Sequence, residues 1–317
     1  MTSIRAAGTL VLFVALTLCP GPVTRGNSLF PVGPGFSLDD SVDEFSLTYY
    51  TVENLIVLPF VINGKVPVNL ILDTGCQTLV LFGKQHEKRF ELVPDFTVTF
   101  SGIGEGKPAT GSVSLNNTVT MGPISGDHVP IVVVPGKSML RRHLQVDGLI
   151  GYDLFTRFEI EIHPARQEIV FRPAFHRSLP RDYHYVPLSV AHHRPTVTAT
   201  FMLPHGELSS EMLVDTGSIL SVLVASSDKE LLVSKADDEI FGMGLNGTIA
   251  GSRAVATLHL HDYTATDVPV AIIRSTRHNH ASIGMAFLKN YSVIINYVQG
   301  YIGLRKPEEP IVADEIL

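Results

Sequence analysis

Hydrophobic residues in this chain fall into short runs of Val, Ile, Leu, Phe and Thr, broken every few positions by Gly, Asn, Asp or Pro. Runs such as Leu58-Pro59-Phe60-Val61-Ile62, Leu79-Val80-Leu81-Phe82 and Thr196-Val197-Thr198-Ala199-Thr200-Phe201 have strand length and strand composition. No long stretch keeps the i, i+3, i+4 apolar spacing of an amphipathic helix. The pattern predicts a mostly β chain.

The same order of elements occurs twice, as expected of a duplicated unit. Each half opens with a strand and a short turn, followed by a hydrophobic strand that ends in Asp-Thr-Gly. The first copy reads Asn69-Leu70-Ile71-Leu72-Asp73-Thr74-Gly75-Cys76 and the second Glu211-Met212-Leu213-Val214-Asp215-Thr216-Gly217-Ser218. A further β run follows, then a glycine-rich stretch, Gly102-Ile103-Gly104-Glu105-Gly106 or Gly242-Met243-Gly244-Leu245-Asn246-Gly247. Next come Val129-Pro130-Ile131-Val132-Val133 and Val268-Pro269-Val270-Ala271-Ile272. Each half closes on a glycine segment with a short helical piece, Leu149-Ile150-Gly151-Tyr152-Asp153-Leu154-Phe155 or Ser282-Ile283-Gly284-Met285-Ala286-Phe287-Leu288.

One Asp-Thr-Gly is only a strand ending in a turn. Two related by duplication can set two carboxylates face to face. At ~3 Å and an effective dielectric of ~20 their repulsion is roughly 5 kcal/mol, about four pKa units. One then keeps a proton and serves as an acid, while the other serves as a base.

On these residues the chain resembles the aspartic proteases of the pepsin and retropepsin superfamily, over roughly residues 47 to 306. It is most similar to bacterial exported retropepsin-like proteins that carry both halves in one polypeptide. The resemblance implies two similar β-barrel-like lobes related by a pseudo-twofold axis, with the active-site cleft between them. It implies Asp73 and Asp215 as the catalytic pair. Thr74 and Thr216 would bond across the two loops, and the amides of Gly75 and Gly217 would face the carboxylates. Gly102, Ile103, Gly104, Gly242, Met243 and Gly244 become candidates for flap tips. Two features depart from the pattern. The pepsin flap tyrosine is missing, since residues 100 to 112 hold no aromatic beyond Phe100 at their start. The position after the motif holds Ser218 in one half but Cys76 in the other. A thiol is a weaker donor than a hydroxyl. Asp73 is therefore expected to hold the shared proton, with Ser218 biasing Asp215 toward the charged form.

Length and composition fit this picture: 317 residues at 45% hydrophobic are enough for two cores. The net charge of −7 with no basic run gives no sign of a nucleic-acid surface. Arg5 followed by the apolar run Thr9 to Leu18 reads as an export signal, too short to span a bilayer. Leu18 before Cys19 is a poor fit to lipidation, so a plainly cleaved signal, with a periplasmic or secreted protein, is the expectation. Removal of Cys19 would leave Cys76 without a disulfide partner. The expected organisation is a signal at 1–26, a linker or short pro-segment at 27–46 and an N-terminal lobe at 47–175. An interlobe linker follows at 176–187, then a C-terminal lobe at 188–306 and an acidic tail at 307–317.

Rival chemistries are weaker. Thirteen histidines include His86-Glu87, His259-Leu260-His261-Asp262 and His278-Asn279-His280, but no metal-ligand spacing completes any of them, and they read as exposed and non-ligating. The glycines from Gly242 to Gly247 satisfy a dinucleotide pattern, yet Thr248 to Leu260 alternates like a strand where that motif needs a helix. No cofactor or metal is expected. The expected partner is a peptide or protein substrate, the expected state a monomer without an integral membrane span. The alternative from a different class is a non-catalytic exported peptide-binding protein on the same fold, suggested by Cys76 and the missing flap tyrosine.

Overall fold

The computed structural model describes residues 17–18, 35–101, 108–135, 145–175, 177–203, 206–226, 239–244, 247–274 and 280–307. Most of the expected signal and the flap candidates Gly102, Ile103 and Gly104 lie outside these residues. The described helices are three four-residue α-turns, Lys84–Glu87, Tyr152–Phe155 and Met285–Leu288, and a 3₁₀ turn at Pro164–Arg166. The rest of the regular structure is strand, as the period-two pattern predicts.

The strands form three sheets: one of ten strands in the first half, one of eight in the second and one of six between them. Each lobe sheet curls onto itself. In the first, Leu55–Ile62 pairs both with its hairpin partner Val66–Asp73 and with Ala109–Met121. In the second, Arg194–Leu203 pairs both with Gly206–Asp215 and with Gly247–Leu260. The two lobes are thus barrel-like units of the same construction. Turn chemistry repeats as well. Positive φ at Glu53 and Asn54 closes the hairpin before Leu55, and positive φ at His192 and His193 closes its counterpart before Arg194.

The six-stranded sheet draws on both halves, in the spatial order His184–Pro187, Tyr301–Arg305, Ser292–Asn296, Phe158–His163, Glu168–Pro173, Phe45–Thr48. At its centre Ile160 pairs with Ile295, Glu161 with Ile294 and Ile162 with Val293. Counted from Gly151 and Gly284, Glu161 and Ile294 are counterparts, so the pseudo-twofold axis passes through this pair, as in an isologous dimer interface. Its polar interior is well satisfied. Glu161 accepts from Arg172 Nη1 at 2.6 Å, Arg177 Nη2 at 2.8 Å and the Tyr183 hydroxyl at 2.6 Å. Glu159 accepts from Asn296 and Tyr301. Buried carboxylates are tolerable only with such partners.

Two segments expected as connections contain strands. In the 27–46 segment, Gly35–Leu38 pairs with Ile124–Val134, and Phe45–Thr48 adds to the linking sheet. The cause is a single aromatic: Phe36 is buried with its ring against Gly126. In the 176–187 segment, His184–Pro187 pairs with Tyr301–Arg305. The histidines also differ from expectation, because His86 is buried and His280 is half-buried with its Nε2 enclosed. His86 Nε2 lies 3.5 Å from an Asp147 oxygen and His280 Nδ1 lies 3.0 Å from Arg194 Nη2. Among the described residues no group of three or more His, Cys, Asp or Glu converges as a metal site would. No described helix is long and apolar enough to cross a membrane.

Candidate active site

Both aspartates stand at strand ends, Asp73 closing Val66–Asp73 and Asp215 closing Gly206–Asp215. Each strand is flanked in parallel by the later glycine segment of its own lobe. Leu149, Ile150 and Gly151 pair with Ile71, Leu72 and Asp73; Ser282, Ile283 and Gly284 pair with Leu213, Val214 and Asp215. A glycine therefore lies beside each aspartate. At Gly151 the reason is steric, since a Cβ there would sit 1.7 Å from the Asp73 carbonyl oxygen. After each glycine the chain caps its active-site loop from below: the Tyr152 amide donates to the Cys76 carbonyl at 2.9 Å and the Met285 amide to the Ser218 carbonyl at 2.7 Å.

The two loops meet through a reciprocal set of buried hydrogen bonds. The Thr74 amide donates to Thr216 Oγ1 and the Thr216 amide to Thr74 Oγ1, both at 3.0 Å. Each hydroxyl then donates onward to the strand of the other lobe, Thr74 Oγ1 to the Val214 carbonyl at 2.6 Å and Thr216 Oγ1 to the Leu72 carbonyl at 2.8 Å. Four bonds thus lock the loops in one mutual register. Within each loop the glycine amide holds one carboxylate oxygen: Gly75 donates to Asp73 Oδ1 at 2.8 Å and Gly217 to Asp215 Oδ1 at 3.0 Å. The lobes are in close contact here, because a Cβ on Gly217 would lie 2.5 Å from both Cγ and Oδ2 of Asp73.

Both carboxylates are wholly buried. Burial raises Asp73 well above the ordinary carboxylate range, and the charge of Asp215 raises it further, against the amides of Gly75 and Cys76. Asp215 is raised to about 7 by burial, while the amides of Gly217 and Ser218 and the Arg194 guanidinium hold it down. Burial and mutual repulsion together favour a proton held between the two carboxyls. Each Oδ2 is buried and makes no hydrogen bond to the protein. The arrangement offers one acid and one base, each with a buried unpartnered oxygen.

The bias expected from the side chains after the two motifs has no bond to carry it. The Cys76 thiol donates to the Thr78 carbonyl at 2.9 Å, and Ser218 Oγ accepts from the Leu220 amide at 3.4 Å. The backbone amides already serve the carboxylates, so the side chain after each motif turns into its own loop. On Asp215 the Gly217 amide, the Arg194 guanidinium and the Ser218 amide offset burial. The six residues Thr74, Gly75, Cys76, Thr216, Gly217 and Ser218 are all brought to the dyad. Gly242, Met243 and Gly244 end the strand Glu239–Gly244, which pairs with Gly247–Leu260 in a hairpin, with Gly244 opposite Gly247. That hairpin, with no helix after its glycines, removes the dinucleotide reading.

Tyr297 carries no motif, yet it reaches the centre of the site: its hydroxyl donates to the Thr74 carbonyl at 3.0 Å. Its ring stacks on Phe155 at 5.0 Å. A cavity of about 290 Å³ lined by Tyr49, Thr51, Asn54, Met285 and Lys289 lies at the lobe junction and includes neither aspartate among its lining residues.

Two barrel-like lobes joined by a common sheet, with an aspartate from each loop at the seam, define the acid-protease architecture. Residues 58–154, which run from the strand before the first motif to the helical turn after Gly151, match the model of a family described as aspartyl protease. The first lobe, which carries Asp73, is thus similar to aspartyl proteases over the matched residues. A search of curated proteins found no match.

Proposed function

We propose that this chain is an exported aspartic endopeptidase that uses Asp73 and Asp215 as one catalytic unit. The observation that carries this reading is the pair of buried carboxyls, each with an unpartnered Oδ2, on loops held together by reciprocal threonine bonds. A scaffold for peptide binding alone has no need to bury two carboxyls with unpartnered oxygens at such cost.

In this mechanism a water bonds to both Oδ2 atoms. Ionised Asp215 takes a proton from it while the oxygen attacks the peptide carbonyl, and Asp73 passes its proton to the carbonyl oxygen. The tetrahedral adduct then collapses as the proton on Asp215 moves to the leaving nitrogen and the C–N bond breaks. Asp73 regains its proton from the adduct, which closes the cycle without a metal or cofactor. Extended substrate backbone would pair with the hairpins beside the site. Since both carboxylates are buried, substrate entry requires the elements over them to part. One chain supplies both halves, so the active species is a monomer. The apolar run Thr9 to Leu18 behind Arg5 supports export.

A peptide-library digest followed by mass spectrometry tests the reading. Cleavage that a statine-type inhibitor blocks supports it. Tight binding of library peptides without any cleavage from pH 3 to 8 would favour the non-catalytic alternative.

A further inference from the structure

The peptide unit between Thr74 and Gly75 is held at both ends. Its carbonyl accepts from the Tyr297 hydroxyl at 3.0 Å, and its N–H donates to Asp73 Oδ1 at 2.8 Å. The three groups form an unbroken chain, from phenol to peptide carbonyl and from peptide N–H to carboxylate. Bonds in such a chain polarise one another, so a donor at the carbonyl makes the N–H at the other end a stronger donor. We propose that Tyr297 is a positioning residue for the dyad, acting through the Thr74–Gly75 peptide to stabilise the ionised form of Asp73. The proposal rests on the dyad reading above and adds to it a control that acts on one aspartate alone.

Three further observations favour a dedicated arrangement. The tyrosine is buried, and its ring is fixed by stacking on Phe155 at an interplanar angle of 20°. Burial and the nearby charges of Asp73 and Asp215 hold its own ionisation well above the usual range, so it remains a donor throughout the working pH range. Counted from Gly151 and Gly284, its counterpart in the other half is Pro164, whose side chain has no donor at all. The duplication therefore does not supply a matching relay to Asp215. On that side Arg194 lowers the aspartate directly.

The titratable neighbours are few. Asp73 faces Asp215 and the Cys76 thiol, which burial keeps neutral. Asp153 acts on Cys76 and Tyr152, and Tyr152 lies beside Tyr297 with its own ring edge-on to His193. None of these donates to the Thr74 carbonyl.

The sign follows from the chain. Without the hydroxyl, Gly75 becomes a weaker donor, ionised Asp73 loses support, and its pKa rises. Polarisation of about 10–30% in a charge-assisted bond corresponds to a shift of roughly 0.1–0.7 pH units. Fluorotyrosine, a stronger hydrogen-bond donor, should move the pKa the other way.

The experiment follows the carboxyl carbon-13 resonance of Asp73 against pH in protein labelled with carbon-13 aspartate, in an Asp215→Asn background where Asp73 titrates alone. Tyr297→Phe and fluorotyrosine at position 297 are compared with the parent. The expected order of midpoints is fluorotyrosine lowest, tyrosine next and phenylalanine highest. In the active enzyme, Tyr297→Phe should move the alkaline limb of kcat/KM upward and leave the acidic limb in place. Coincident midpoints in all three proteins, or lower stability with unmoved midpoints, would overturn the proposal. Should Tyr297→Phe fail to fold, the fluorotyrosine protein still decides the sign. The resonance needs no substrate, so ordered midpoints in a protein without peptidase activity would sink the proposed function and leave the relay standing.

Discussion

Thr216 is the sharpest place to test whether the bonds between the loops hold the dyad together. Its Oγ1 accepts from the Thr74 amide at 3.0 Å and donates to the Leu72 carbonyl at 2.8 Å, and the residue is wholly buried. Valine has nearly the same shape and no hydroxyl. Thr216→Val therefore strands one buried N–H and one buried carbonyl in the opposite lobe. Each unpaired group costs roughly 1–3 kcal/mol, so the variant should lose about 2–6 kcal/mol. That is a large share of a typical stability of about 5–15 kcal/mol. Thr216→Ser keeps both bonds and removes one methyl group, for about 1 kcal/mol. Urea unfolding of the three proteins at one pH gives the comparison. Activity adds a second reading, since a loop displaced by ~1 Å should cost on the order of 10²-fold in kcat for Thr216→Val. A valine variant within about 0.5 kcal/mol of wild type, or a serine variant as unstable as the valine one, would refute the reasoning.

Three further outcomes follow from other residues. Because the Cys76 thiol bonds the Thr78 carbonyl, Cys76→Ser and Cys76→Ala should leave both limbs of the kcat/KM profile in place; a shifted acidic limb would show that this side chain reaches Asp73 after all. Burial raises Asp153 to about 6 despite Arg157, so its neutral form is favoured by the fold and stability should fall as pH rises from about 4 through 6. Asp153→Asn should then gain about 1–3 kcal/mol on wild type at pH 7.5 and nothing at pH 4, whereas a difference independent of pH in urea titrations would count against it. Gly151→Ala forces a Cβ into the Asp73 backbone and should cost more than about 2 kcal/mol in thermal unfolding, while Gly64→Ala, in open space at φ 63°, should cost about 1 kcal/mol; equal losses would contradict the close approach.

The duplicated elements were legible because strand alternation and motif order are local properties. Asp73, Asp215 and the glycines Gly151 and Gly284 could be named from spacing alone. The linking sheet was not. Phe158–His163 alternates like a half-exposed strand, and nothing near it in sequence shows that Arg172, Arg177 and Tyr183 will enclose its glutamates. The role of Phe36 was hidden for a similar reason, since one aromatic among turn residues gives no period. Cys76 and Ser218 misled because family position suggested that a hydroxyl there bonds the carboxylate and a thiol does so weakly, while both side chains bond within their own loops. Tyr297, in the turn after Ser292–Asn296, and Arg194, at the start of Arg194–Leu203, act on the active-site loops from far along the sequence, and only the folded chain brings them there.

The central claim is that the two aspartates act as one unit, and kinetics on a single cleavable peptide test it most directly. Asp73→Asn, Asp215→Asn and the double variant are compared with wild type after each is shown to fold. Groups that act together are non-additive, so the account predicts that either single change abolishes turnover and that the double variant is about as inactive as each single one. A single variant that keeps more than about a tenth of wild-type kcat, or a double variant whose loss is the product of two partial losses, would contradict it.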